Sequence, residues 1–298
     1  PKEYLGGAEM HASVSGVAHL MVDYVAAAVD AARRYLAYFP SSAWEPPPRA
    51  EGGDGDRRSL DALLDVVPTN QARANDMRRV IDCLVDGGQA LELQPDFGPT
   101  MLTVLARLGG RAVAIVANQP LAGAGAIDRP AADKATRFLD VADAFGLPVL
   151  FLADNPGVMA GRAAERSGAL RAAARMYSVA HSLRVPKLHV TLRKAFGFGS
   201  TMMAMNPFDR QTLTLAFPIV TLGAMPAHSG GEAAGLAADD REQLADEQSA
   251  GPWPQADTMA YDDVIDPREL RDALLDALAL ADARTPAAPS PRAQPIRP

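Results

Sequence analysis

The sequence predicts an α/β fold with a mainly parallel sheet, and three observations predict it. Short apolar runs at 112–117, 148–153 and 188–192 have the length and composition of buried strands. Segments of helical period, 131–144 and 163–182, separate them. Finally, the run Lys187-Leu-His-Val-Thr-Leu192 passes through a glycine-punctuated turn into helix-forming residues, Thr201-Met-Met-Ala-Met205. Strands joined through helices need crossover connections, which favour parallel pairing and helices on both faces.

Taken in order, Val17, Leu20, Met21, Tyr24, Val25 and Ala28 recur at helical spacing, which predicts an amphipathic helix over 17–38. Pro40 stops it. The stretch 40–58 carries Pro46-Pro-Pro48 and then Glu51-Gly-Gly-Asp-Gly-Asp56, a surface linker and a domain boundary. A helix is expected over 76–84 and a strand over 112–117. In 131–144, Ala135, Phe138, Leu139 and Ala142 share one helical face, continued by Phe145. Residues 212–222 read as mostly extended. Asp266-Pro-Arg-Glu269 is a helix start, with Asp as cap, Pro at the first position and Glu at the third, and Leu270, Leu274, Leu275 and Leu278 carry that helix to about 282. The last residues, 284–298, are rich in Pro, Ala and Arg and read as a disordered tail. No internal repeat of 20–50 residues is evident.

Composition narrows the function. The 298 residues are 48% hydrophobic and 22% charged, which fits a globular chain with a sizeable core. Net charge is −7, and no Lys/Arg cluster is interleaved with aromatics, so nucleic acid is not an expected partner. Charges or prolines interrupt every apolar stretch before membrane-spanning length, and no signal peptide is visible. One cysteine, Cys83, excludes an internal disulfide framework and fits a reducing compartment, so the cytoplasm is the expected location. Cys83 lies in an apolar helical stretch and reads as core filler. The five histidines, His11, His19, His181, His189 and His228, show no metal-ligand spacing, and no Gly-x-Ser-x-Gly is present. Leu121-Ala-Gly-Ala-Gly-Ala126 has Asp128 where a dinucleotide fingerprint needs its third glycine.

The stretch with most chemistry in it is Arg193-Lys-Ala-Phe-Gly-Phe-Gly-Ser200. Glycines let backbone N–H groups approach a ligand, and a helix start adds unpaired donors and a partial positive charge. That combination suits an oxyanion, and it equally suits a plain turn that packs strand on helix. Arg193-Lys194 reads either as an attractor for an anionic substrate or as a solvated strand end. Asp154-Asn-Pro-Gly157, after strand 148–153, reads as a ligand-side loop or as a β-turn.

Six pieces in order resemble the β-type carboxyltransferase subunits of biotin-dependent acyl-CoA carboxylases, the acetyl/propionyl-CoA carboxylase family. They are Leu5-Gly-Gly-Ala8 with Ser15-Gly-Val-Ala-His19, Val116-Ala-Asn-Gln-Pro120, Asp154-Asn-Pro-Gly157, Val185-Pro-Lys187, Arg193-Lys-Ala-Phe-Gly197 and Tyr261-Asp-Asp-Val-Ile-Asp-Pro-Arg268. The resemblance implies a crotonase-like fold of stacked ββα units. It implies that 1–39 is the end of an N-type domain, 40–58 a linker and 59–283 a C-type domain. With a proline first, the chain is expected to be a fragment or a processed form. The implied reaction moves carboxylate from carboxybiotin, on a separate carrier protein, to the α-carbon of an acetyl- or propionyl-CoA-like thioester, with no metal. Two oxyanions, the enolate and the biotin urea, would be held by backbone N–H groups, and biotin itself would act as base. Implied partners are acyl-CoA, the biotin carboxyl carrier or biotin carboxylase subunit, and further copies of the chain. The active site would lie at a dimer interface, within a trimer of dimers in the fuller assembly.

By resemblance, Gly197, Phe198 and Gly199 form the biotin-side oxyanion turn. Asn155, Pro156 and Gly157 line the biotin entry, Thr201 either takes the place of a side chain that faces the acyl group or is an ordinary helix N-terminal threonine, and Gly223 and Ala224 form the wall. Two departures stand out. Phe198 occupies a position usually held by glycine, so its ring must pack into the sheet or narrow the pocket. In Leu222-Gly-Ala-Met-Pro-Ala-His-Ser-Gly-Gly-Glu232 only Gly223-Ala224 matches, and Pro226 removes a donor. A decarboxylase or transcarboxylase component, or a catalytically degenerate structural subunit, therefore remains an alternative.

Overall fold

A computed structural model describes residues 2–42, 44–50, 57–87, 90–205 and 210–284. The glycine-rich part of the expected linker, 51–56, and the expected disordered tail from 285 onward lie outside the described residues. Among those residues the strands form one mixed sheet: β1 (Leu91–Leu93), β2 (Met101–Leu108), β3 (Arg111–Asn118), β4 (Val149–Asn155), β5 (Lys187–Phe196), β6 (Leu213–Ala216), β7 (Thr221–Gly223) and β8 (Asp263–Val264). Their order is β1-β2-β3-β4-β5-β6-β8, with β7 beside the far end of β5. From β3 onward every pairing is parallel, whereas β1, β2 and β3 form an antiparallel meander.

The strands are buried on both faces, which is why they read as continuous apolar runs rather than alternating ones. In β4, Leu150 and Leu152 point into one core and Val149, Phe151 and Ala153 into the other. The helices that follow are labelled α1 (Val25–Leu36), α2 (Met77–Leu84), α3 (Arg129–Ala144), α4 (Ala169–Ser182), α5 (Gly197–Met202) and α6 (Leu270–Arg284). α2 and α6 supply Val80, Ile81, Leu84, Leu270, Leu274 and Leu278 to the first core. α3 and α4 supply Ala135, Phe138, Leu139, Met176 and Val179 to the second. Cys83 packs against the first core, and burial raises its thiol pKa, which keeps it protonated.

Several expectations need correction. The helix expected over 17–38 begins only at Val25. Gly16 lies at φ +68, and residues 16–19 are tied down, with Gln94 donating its backbone N–H to the His19 carbonyl and its side-chain amide to the Gly16 carbonyl. The helix expected over 163–182 is two helices, Arg162–Ser167 and α4, broken at Gly168 with φ +82. The helix expected at 201–205 instead starts at Gly197, so the turn residues are themselves its first turn. β5 continues to Phe196, beyond the expected end at 192. The Asp266 cap holds, its carboxylate accepting from the Arg268 N–H, but the first turn is 3₁₀ (Pro267–Glu269) before α6 begins.

Two buried cations brace the frame. Lys134 Nζ donates to the carbonyls of Gln94, Phe97 and Gly98 at 2.9, 2.8 and 3.4 Å, and burial lowers its pKa to about 8. The Asp86 carboxylate accepts from Gly109 N–H, Gly110 N–H and the fully buried Arg271, at 3.0, 2.7 and 2.7 Å. Asp86 thus joins the end of α2, the β2–β3 hairpin and α6.

Candidate functional site

The site candidates sit at the carboxyl ends of β4 and β5, where parallel sheets place ligands. There the register slips. Ala153 pairs with Thr191, but Asn155 pairs with Ala195, so Asp154 faces three residues of β5. The slip brings Arg193 onto Asp154, Nε to Oδ2 at 2.8 Å, each side chain 1% exposed. Arg193 also donates to the Arg73 carbonyl. Burial pushes the Asp154 carboxyl pKa up, and Arg193 pulls it back down. Arg193 is therefore neither a substrate attractor nor a solvated strand end: it is an internal clamp between the two loops. Lys194 is half-buried, its pKa lowered by burial while Asp154 works the other way.

The loop after β4 is tied down by hydrogen bonds. Asn155 is buried; its Nδ2 donates to Asn118 Oδ1 at 3.1 Å, and its Oδ1 accepts the Gly157 N–H at 3.0 Å. Asn118 Oδ1 also accepts the Asp154 N–H, and Gly157 carbonyl accepts the Ile127 N–H. Asn155 thus shapes the loop with one Nδ2 hydrogen and one Oδ1 lone pair. Asn118, on β3, carries no local mark of a site residue beyond its place in Val116-Ala-Asn-Gln-Pro120.

The first turn of α5, which follows β5 directly, abuts both neighbours. A Cβ on Gly199 would meet Asn155 Oδ1 and come within 2.7 Å of Gly157 Cα. A Cβ on Gly197, itself at φ +52, would come within 2.7 Å of the Ala224 carbonyl. So Gly199 abuts Asn155 and Gly157, and Gly197 abuts Ala224, approaches too close for a Cβ at either glycine. Gly197, Phe198 and Gly199 open α5, positions whose N–H groups have no acceptor within the helix. Thr201 Oγ1 donates to the Phe198 carbonyl at 2.9 Å, and Ser200 Oγ to the Gly197 carbonyl at 2.6 Å.

Phe198 does not pack into the sheet. It is 37% exposed and lies against Tyr177 of α4, ring centroids 5.5 Å apart. The 222–232 segment is laced by Gln248, whose Nε2 donates to the Met225 carbonyl at 2.7 Å and whose Oε1 accepts the Ala227 N–H at 3.1 Å. Nothing in the local sequence marks Gln248. Gly223 lies under it: a Cβ there would meet Gln248 Nε2 at 3.0 Å.

Behind the turn lies a buried polar chain. His189 Nδ1 is 2.7 Å from the Met203 carbonyl, and its Nε2 is 2.7 Å from Thr191 Oγ1, which lies 3.0 Å from Tyr261 OH. A carbonyl can only accept, so Nδ1 carries the proton, Nε2 accepts from Thr191, and Thr191 accepts from Tyr261. Complete burial pushes the His189 pKa down to about 4. At pH above about 6.5 both folded and unfolded states are neutral here. As pH falls from 6.5 to 4, only the unfolded state gains the proton, so stability is lost across that window. The expected loss is about 3 kcal/mol. Urea unfolding between pH 7 and 4 should show it in the wild type, and His189→Asn should flatten that component.

A cavity of about 460 Å³ lies elsewhere, between α1 and β1, lined by His19, Leu20, Tyr35, Leu36 and Leu93 among others. Among the described residues no group of three His, Cys, Asp or Glu is arranged to hold a metal, and no helix is long and apolar enough to cross a membrane.

The carboxyl transferase domain family matches residues 1–295. The chain is 33% identical to the propionyl-CoA carboxylase carboxyltransferase subunit of Haloferax mediterranei over 296 residues, 96% of this chain and 57% of that one. It is 33% identical to methylmalonyl-CoA decarboxylase subunit alpha of Veillonella parvula over 291 residues, again 96% and 57%. A crystal structure of transcarboxylase 12S with methylmalonyl-coenzyme A bound superposes with a TM-score of 0.90 at 31% identity, over 99% of this chain and 58% of that one. The chain thus spans little more than half the length of these relatives.

Proposed function

Because the chain belongs to the carboxyl transferase domain family, we propose that it forms the biotin side of a carboxyltransferase site that moves carboxylate between biotin on a separate carrier protein and an acetyl- or propionyl-CoA-like thioester. The observation that carries the reading is that three segments, 155–157, 197–199 and 223–224, meet in pairs at the carboxyl ends of β4 and β5. Its donor set suits a urea oxygen: successive N–H groups at a helix start, with a partial positive charge behind them. Carboxybiotin, when docked, supplies the carboxyl group. The residues of this chain orient and stabilise. The 197–199 N–H groups favour negative charge on the oxygen before them. Gly157 and the Asn118–Asn155 bonds fix the opposite wall, and Arg193–Asp154 holds the two walls together. Such donors work without titration, so this side of the site needs no basic side chain.

The same reading takes the fold as crotonase-like, with residues 1–39 as the end of a preceding domain of that type. It takes the acyl-CoA half of the site as supplied from another copy in a homo-oligomer, dimeric at the site, and the setting as cytoplasmic. The likeness to a decarboxylase subunit and a transcarboxylase is consistent with one set of microscopic steps run in either direction.

The test is carboxyl transfer from methylmalonyl-CoA to free biotin by the chain in its assembled enzyme. Thioester-dependent biotin carboxylation is the expected result, and none at saturating biotin overturns the reading. Phe198→Gly refines it. A ring that contributes about 0.5–1.5 kcal/mol of contact should raise the KM for biotin about 2- to 12-fold on removal. With kcat unchanged, that pattern marks binding made equally in ground and transition states.

A further inference from the structure

We propose that His189, with Thr191 and Tyr261, is a positioning residue for the 197–199 turn, anchoring α5 from its far end. The inference rests on the carboxyl-transfer reading of that turn and adds to it the device that fixes the turn in place.

α5 is one and a half turns long, too short to hold its own geometry. Its exit is strained. Ala204 lies at φ +60, a left-handed conformation that glycine adopts freely and alanine does not. The Ala204 N–H donates to the Thr201 carbonyl and the Met205 N–H to the Ser200 carbonyl, which closes the helix tightly on itself. The Met203 carbonyl is left over, and His189 Nδ1–H takes it at 2.7 Å. Tyr261 OH, besides its bond to Thr191, is 3.5 Å from Met205 Sδ. So Met203 is bonded to β5 and Met205 lies against Tyr261, just before β8, with the left-handed Ala204 between them. The anchor stands on β5, the strand that also delivers Arg193 and the turn itself. A shift at Met203 has one rigid path to follow, through the single short helix to Gly197–Gly199. The sequence offers His189 only as an apolar-run histidine without metal spacing; its partners lie at 191, 203 and 261, and only the fold unites them.

The test compares His189→Leu, His189→Asn and Tyr261→Phe in the assembled enzyme, by amide hydrogen exchange and by methylmalonyl-CoA-dependent carboxylation of free biotin. Asn places its Nδ2 where His has Nδ1, so it can still donate to the Met203 carbonyl. In His189→Leu, exchange at residues 200–205 should rise at least about tenfold while the β3 and β4 amides stay slow. The kcat should fall about tenfold or more with KM for methylmalonyl-CoA within about threefold, as expected of a misplaced group rather than a lost contact. His189→Asn should recover most of both. Tyr261→Phe keeps the core volume and should loosen α5 less, which preserves a readout if the leucine variant fails to fold. Unchanged α5 exchange in both His189→Leu and Tyr261→Phe overturns the proposal. So does a loosened α5 with unchanged kcat. A wild type that transfers nothing refutes the carboxyl-transfer reading and, with it, a positioning role; the exchange data would then show only a structural anchor.

Discussion

Arg193→Met should destabilise the protein by about 3–5 kcal/mol, the cost of leaving a buried carboxylate without its partner. Asp154 and Arg193 are each 1% exposed and 2.8 Å apart, so water cannot compensate for the loss. The effect should not stay local. Asp154 begins the 154–157 loop and Arg193 precedes the 197–199 turn, so the unpaired charge strains both walls of the site. Urea unfolding of the single variant measures the cost. The pair Arg193→Met with Asp154→Leu should recover most of it, since an apolar replacement of both partners removes the buried charge. A single-variant cost below about 1 kcal/mol would mean the pair does not brace the loops.

Gly199→Ala should lower carboxyl transfer by about 10²–10³ while the fold survives, a loss of the size seen when one oxyanion donor is removed. The new Cβ would collide with Asn155 Oδ1 and Gly157 Cα, and both belong to a loop tied down by Asn118. The helix start has to move instead, which redirects its N–H groups. Gly197→Pro should act as strongly, because proline cannot adopt the φ of +52 found there. Biotin carboxylation beside a circular-dichroism spectrum checks both variants. Wild-type rates with either substitution would remove the turn from the chemistry.

Much of the frame was legible in the sequence, because β3, β4 and β5 are doubly buried and therefore uniformly apolar. β2 escaped notice: Met-Leu-Thr-Val-Leu-Ala-Arg-Leu, 101–108, is buried throughout, and such a run has no period to separate strand from helix. The helix expected from 17 came out too long, since helical spacing continues through 17–24 while bonds to Gln94 hold residues 16–19 out of the helix. At the site, glycines 197 and 199 announced themselves locally. Arg193 did not, because its meaning depends on Asp154, 39 residues earlier, and on a register slip that no local pattern encodes. Gln248 and His189 were obscure for the same reason: each acts through a carbonyl elsewhere in the chain.

The Asp86 clasp limits how this chain can be cut or rewired. Arg271 sits at the second residue of α6, so trimming back to the end of that helix leaves the clasp whole. Removing α6 itself strips the carboxylate of its cation and the Leu84 carbonyl of its donor, 2.6 Å away. A circular permutant opened at Gly109–Gly110 would turn the Gly110 amide donor into a chain terminus and release the Gly109 donor from the hairpin that positions it. New termini or inserted domains therefore belong on loops that make no bond to residue 86.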